Sequence, residues 1–155
     1  TFLAINSKPT SATATVDPTG TVTAVPGTPG NARLVGSDTT GTPLDVQIGL
    51  VSPGQASTSM NLTIRDSTAH TATVNLVDGV GGDAPFTVTT WTAGTATTGT
   101  MGTFSGTTGI GTITLDASGQ FENKFGATLS TVKDTLPKPY SSGAYTGTVE
   151  VLVSY

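Results

Sequence analysis

The chain has 155 residues, a formal net charge of −4 and only 10% charged residues, where an ordinary globular domain carries about a quarter. Six cations scattered along the chain form no basic stripe, which excludes a nucleic-acid surface. No apolar run reaches the roughly 20 residues of a membrane helix.

Thr is the commonest residue, at 34 of 155, followed by Gly at 20. Thr and Val suit a half-buried pleated surface because their branched side chains pack well there, and helix formers are scarce, so the fold class is all-β. The length suits one domain with its own core. Cysteine is absent, which excludes disulfides and zinc–thiolate sites.

Residues 1–18 hold two short alternating pieces, one with Leu3 and Ile5 on a shared face, the other with Ala12, Ala14 and Val16. Pro9 between them marks a break or a sheet edge. Asp17-Pro18-Thr19-Gly20 is a turn signal. A short strand follows over residues 21–25, then a Pro/Gly loop over 26–30. A brief strand is expected over 32–35. Residues 43–51 alternate more clearly, with Leu44, Val46, Ile48 and Leu50 on one face. Residues 59–65 repeat the pattern with Met60, Leu62 and Ile64. After a turn at 66–69 the chain returns over 70–77, with His70 heading the strand and Ala72, Val74 and Leu76 inward.

Residues 86–92 form a strand with Phe86 and Val88 on one face and Trp91 on the other. Strands are expected over the Thr/Gly-rich stretch 93–108, which carries Met101 and Phe104, but their register is not legible. Gly111, Ile113 and Leu115 share a face over 110–115, and Asp116-Ala117-Ser118-Gly119 turns the chain. Phe121, Phe125, Leu129 and Val132 are spaced by four, four and three, which suits a short helix face, although Gly126 and the neighbouring Thr residues weigh against it. Residues 136–140 form an extended loop. The last thirteen residues, 143–155, alternate without interruption, with Tyr145, Gly147, Val149, Val151, Val153 and Tyr155 on one face. As one strand they would span roughly 40 Å. Short strands with turns about every ten residues, joined mainly through Gly, Pro, Asp and Ser, point to an antiparallel sandwich.

Signals for chemistry are sparse. His70 is the only histidine, and no GxSxG elbow accompanies the thirteen serines, so no nucleophile–base–orienter set can be assembled. Asp78 and Asp83 flank a Gly-rich turn but lack the D-x-D-x-D-G spacing of a calcium loop, and a solvated turn is expected. Asn61-Leu62-Thr63 is a sequon in mid-strand, expected to be unmodified. Trp91 with Tyr140 and Tyr145 would make a sugar-stacking platform; packing in the core or at an edge is the plainer expectation. No metal or cofactor is expected, and an enzyme is the least supported class.

Two stretches carry a resemblance: SATATVDPTGTVTA, residues 11–24, and SSGAYTGTVEVLVSY, residues 141–155. Both resemble pilin subunits of the chaperone–usher pathway. The ATVDP run is similar to the end of the N-terminal extension of colonisation-factor-type major subunits. The G-x-Y-x-x-x-V-x-V-x-V-x-aromatic ending is similar to that class and to archaic, spore-coat-U-like pilins. The resemblance covers the two ends of the chain. It departs in Pro9 within the arm, in the missing disulfide of archaic pilins, and in the aromatic being the last residue.

The resemblance implies an immunoglobulin-like sandwich that is incomplete and is completed by a donor strand from a neighbouring subunit. It implies an arm at 1–18 and a pilin domain at 19–155. The donor residues would be Leu3, Ile5, Ala12, Ala14 and Val16. The acceptor edge would be Tyr145, Val149, Val151, Val153 and Tyr155. The partners would be copies of the chain in a head-to-tail homopolymer, with a periplasmic chaperone and an outer-membrane usher during assembly. The location would be an extracellular pilus serving adhesion or biofilm formation, with a signal peptide removed. Two other readings stand beside it: a strand-exchange filament subunit outside that pathway, and a self-contained carbohydrate-binding or decoration sandwich, in which residues 1–16 fold back into their own domain.

Overall fold

The computed structural model describes residues 2–4, 12–25, 34–37, 40–49, 56–79, 85–131 and 143–155. Twelve strands and no helix lie among them: β1 (Phe2–Ala4), β2 (Thr13–Val16), β3 (Val22–Val25), β4 (Leu34–Ser37), β5 (Leu44–Gly49), β6 (Ser59–Asp66), β7 (Val74–Leu76), β8 (Phe86–Ala93), β9 (Thr100–Ser105), β10 (Ile110–Thr114), β11 (Gln120–Thr131) and β12 (Val149–Ser154).

Every pairing is antiparallel. One sheet has four strands in the order β12-β6-β10-β9, and the other has six, β3-β2-β11-β8-β7 with β5 also on β11. β1 and β4 form a separate pair. The long strand β11 organises the larger sheet. Phe125 pairs with both Leu44 and Ala93, and Ala127 with both Val16 and Trp91, so β5 and β2 share one edge of β11 end to end while β8 takes the other.

The two sheets enclose a common core, as in a sandwich. β6 and β10 contribute Met60, Leu62, Ile64 and Ile113, and the facing sheet contributes Val46, Val74, Val88, Trp91, Phe121 and Phe125. The alternations over β5, β6 and β10 lie on the faces the sequence predicts, because one buried face fixes the register of a strand.

Four local expectations are corrected. The segment read as a possible helix face is the twelve-residue strand β11. Phe121, Asn123 and Phe125 alternate into the core; the spacing of four between the two phenylalanines is two strand periods. Val132 lies outside the described residues.

Trp91 is on the core side with Phe86 and Val88, and not opposite them. Val88 pairs with Leu129 and Thr90 with Thr128, so Thr89 is an extra residue on β8. This bulge shifts the parity of everything beyond it. A second bulge sets Gly102 and Thr103 against the single residue Thr112. It brings Met101 and Phe104, three apart in sequence, onto the same core.

His70 does not head a strand. It closes the Asp66 turn at φ 55°, and the next strand starts at Val74. Finally, the last alternating stretch is not one strand. Thr146 bridges to Val77 beside β7, and only Val149–Ser154 joins β6. The chain there crosses from one sheet to the other. A Cβ on Gly147 would lie 2.7 Å from the Asn75 carbonyl oxygen and from Leu76 Cδ2, so only glycine passes that close to β7.

Candidate strand-exchange site

β12 lies at the border of its sheet. Its inner edge pairs with β6 in unbroken register from Val149↔Asp66 to Ser154↔Asn61. Among the described residues no strand covers its outer edge. Val149, Val151 and Val153 are half-buried and rest on the core cluster. Leu152 on the other face is 36% exposed, and Tyr155 is 69% exposed. Tyr145 packs edge-on against Phe86, with ring centroids 4.7 Å apart and planes at 81°.

Exposed strand edges are usually guarded by lysines, prolines or bulges. β12 has none of these. Its one charge, Glu150, is held against the sheet: Arg65 Nε donates to Glu150 Oε2 at 2.7 Å, and His70 Nδ1 lies 3.5 Å from the same oxygen. The Arg65 hydrogen bond is the main reason the Glu150 carboxyl sits below its ordinary pKa.

The predicted donor residues lie elsewhere. Ala12 and Ala14 are 1% and 2% exposed, facing inward, and Val16 is half-buried. β2 is inserted between β3 and β11 of its own chain, from Thr13↔Ser130 to Val16↔Ala127. Five residues, 17–21, join it to β3. Asp17 Oδ1 accepts from Thr19 N, Thr19 Oγ1 and Thr21 N at 2.8, 2.6 and 2.9 Å. These donors, Thr19 Oγ1 first, pull the Asp17 carboxyl below its ordinary pKa. Gly20 completes the loop at φ 91°. Leu3 lies in β1, which pairs with β4, and Ile5 lies outside the described residues. Thus the structure does not place the described donor residues beside the acceptor edge in one chain; β1 and β2 belong to different sheets from β12.

The other chemical signals find structural roles or fall outside the description. Trp91 is 5% exposed and its Nε1 donates to the Ala72 carbonyl at 3.0 Å, so its ring offers no stacking platform. Asp83 and Tyr140 lie outside the described residues. Among the described residues no group of three or more His, Cys, Asp or Glu could hold a metal, and no helix is long and apolar enough to cross a membrane.

Sequence reasoning missed two buried polar side chains on β11. Asn123 is fully buried; its Nδ2 donates to the Gly94 carbonyl at 3.2 Å and its Oδ1 accepts from Lys124 N at 2.8 Å. Thr131 is 3% exposed and binds Ala12. Once residues 120–131 are read as a strand, both stand out as polar residues at inward positions; the helical spacing concealed them.

No protein-family model, curated protein or solved structure matches this chain.

Proposed function

We propose that this chain is a non-enzymatic structural subunit of an extracellular filament, in which each copy adds a strand to the sandwich of the next. The carrying observation is the outer edge of β12: among the described residues no strand covers it, its alternate backbone groups face outward, and it has three half-buried valines and no lysine, proline or bulge. A strand laid there would satisfy the open backbone groups and cover the valines, with alternate side chains setting its register. The two sheets are then an immunoglobulin-like sandwich lacking one strand. The contact is head-to-tail and does not close, so it builds a filament. Before assembly, a chaperone strand would shield the same edge, and an usher would deliver the subunit, in keeping with the pilin resemblance at the two ends of the chain.

The donor is the part of the arm that precedes β2, led by Leu3 and Ile5; Leu3 pairs with β4 within the single chain, so donation requires the small β1–β4 pair to open. Ala12, Ala14 and Val16 hold the arm to its own domain, because they are already packed between β3 and β11. Deleting residues 1–11 removes the donor and the β1–β4 pair but leaves every strand of the two core sheets. Electron microscopy and light scattering of the full chain should show filaments or ladders, and the chain lacking 1–11 should give folded monomers.

A second reading has its own support. Because β2 fills its slot within one chain, the sandwich could be complete in itself, as a decoration or carbohydrate-binding module. Folded monomers from both the full and the shortened chain would establish that reading and reject the filament.

A further inference from the structure

We propose that Thr131 is the latch that pins the N-terminal strand to its domain at Ala12. β2 is held to β11 by a ladder of only four residue pairs, Thr13 to Val16. Ala12 lies just outside it and is 1% exposed, so water cannot serve its backbone groups. Thr131 answers both. Its hydroxyl oxygen accepts the Ala12 N–H at 2.8 Å, and its own N–H donates to the Ala12 carbonyl at 2.9 Å. The hydroxyl also lies 3.5 Å from that carbonyl.

The neighbouring hydroxyl pair makes a useful contrast. Thr15 Oγ1 and Thr128 Oγ1 are 3.0 Å apart on the opposite face of the sheet and only part-buried, so water can reach either partner. Thr131 has no such substitute. Removing its hydroxyl leaves a buried N–H without an acceptor, which is worse than losing one exposed hydrogen bond.

The latch acts where the register is already narrow. The inner residues of β2 alternate Ala12, Ala14, Val16 and its outer ones are threonines, so a slip by two keeps every side chain on its proper face. The slip that moves Val16 into the place of Ala14, 2% exposed, overfills a closed site. The alanine sites select the register, and Thr131 closes the end at which the arm departs. That this end is the base of a donor arm rests on the strand-exchange reading; the pinning itself does not.

Amide hydrogen exchange on the full chain tests the latch. In Thr131→Val the amides of residues 12–16 should exchange roughly ten-fold faster, because local opening of β2 no longer breaks that bond. Thr131→Ser should stay near the wild type, and the β5–β11 amides, Gln120 to Phe125, should not change in either variant. Unchanged β2 amides in Thr131→Val would overturn the proposal, and so would an equal acceleration in every strand, which would mark Thr131 as an ordinary stabilising residue. Light scattering of the same samples separates the two readings. Faster β2 exchange in Thr131→Val, with no filaments from any variant, would leave the latch standing and remove the filament.

Discussion

Phe125 is fully buried on β11, its ring 5.2 Å from that of Phe104 and tilted by 58°. Residues of this kind carry the stability, since the chain has no disulfide and few charges. Phe125→Ala should destabilise the fold by about 3–5 kcal/mol, measured by urea unfolding. The acidic residues act through turns and edges. Asp17, Asp66 and Glu150 all have pKa values below the ordinary carboxyl range, Asp66 chiefly through the Ala69 and Thr68 amides. The carboxylate forms are therefore favoured in the folded state. Their contribution is present above the unfolded pKa, near 4, and is lost as pH falls through the lower folded values. Urea midpoints should thus be level around neutrality and fall below about pH 4. Asp17→Asn should flatten part of that fall, and an acid limb unchanged in this variant would count against the Asp17 turn.

Among the elements, the same loop occurs twice. Asp116 repeats Asp17: its Oδ1 accepts from the amides two and four residues on, at 2.8 Å each, and Gly119 sits at φ 74° where Gly20 sits at 91°. Asp-x-x-Gly reads as a turn in sequence because the carboxylate and the left-handed glycine make this geometry locally, with no help from the rest of the chain. Bulges are different. The extra Thr89 cannot be read from alternation, since its effect, turning Trp91 inward, depends on a partner strand 39 and 40 residues later in the chain, at Thr128 and Leu129. Trp91 is the only tryptophan, so its fluorescence reports on this directly. The wild type should emit in the blue-shifted range of a buried indole. Deleting Thr89 should shift emission to the red and lower stability; unchanged emission would mean that the bulge does not set the facing of Trp91. At the outer edge, Val151→Lys places a charge among the half-buried, core-facing valines of β12, as the inward-pointing charges of natural edge strands do. If the strand-exchange proposal holds, it should abolish filaments, scored by electron microscopy, while the circular dichroism spectrum stays that of the folded monomer.

For the whole molecule, the decisive relation is that the arm's second half and the open edge belong to different sheets. The absence of cysteine makes that relation testable by cross-linking. Thr15→Cys with Thr128→Cys joins positions whose hydroxyls are 3.0 Å apart across β2 and β11. Oxidation should give an intramolecular bond in every copy and, on the strand-exchange proposal, leave filament formation intact. An intermolecular ladder would instead show that β2 itself is exchanged between copies. The fold class was legible because composition and a period of two are local properties, set by backbone pleating and branched side chains. Met60, Leu62, Ile64, Ile113 and Leu115 were placed on the core face for that reason. Much of the candidate site was hidden. The terminal alternation runs unbroken in sequence, yet the chain leaves one sheet for the other at Gly147, a step dictated by contact with β7. Likewise Ala12, Ala14 and Val16 announced a strand with one buried face, but a strand is equally satisfied beside any open edge. By itself the sequence determined that this chain forms short antiparallel strands around an apolar core, since pleat and hydrophobic pattern repeat along the chain. Which edge each strand takes, and where bulges and crossings turn a side chain in or out, was decided only by the tertiary structure, because these depend on partners far apart in sequence.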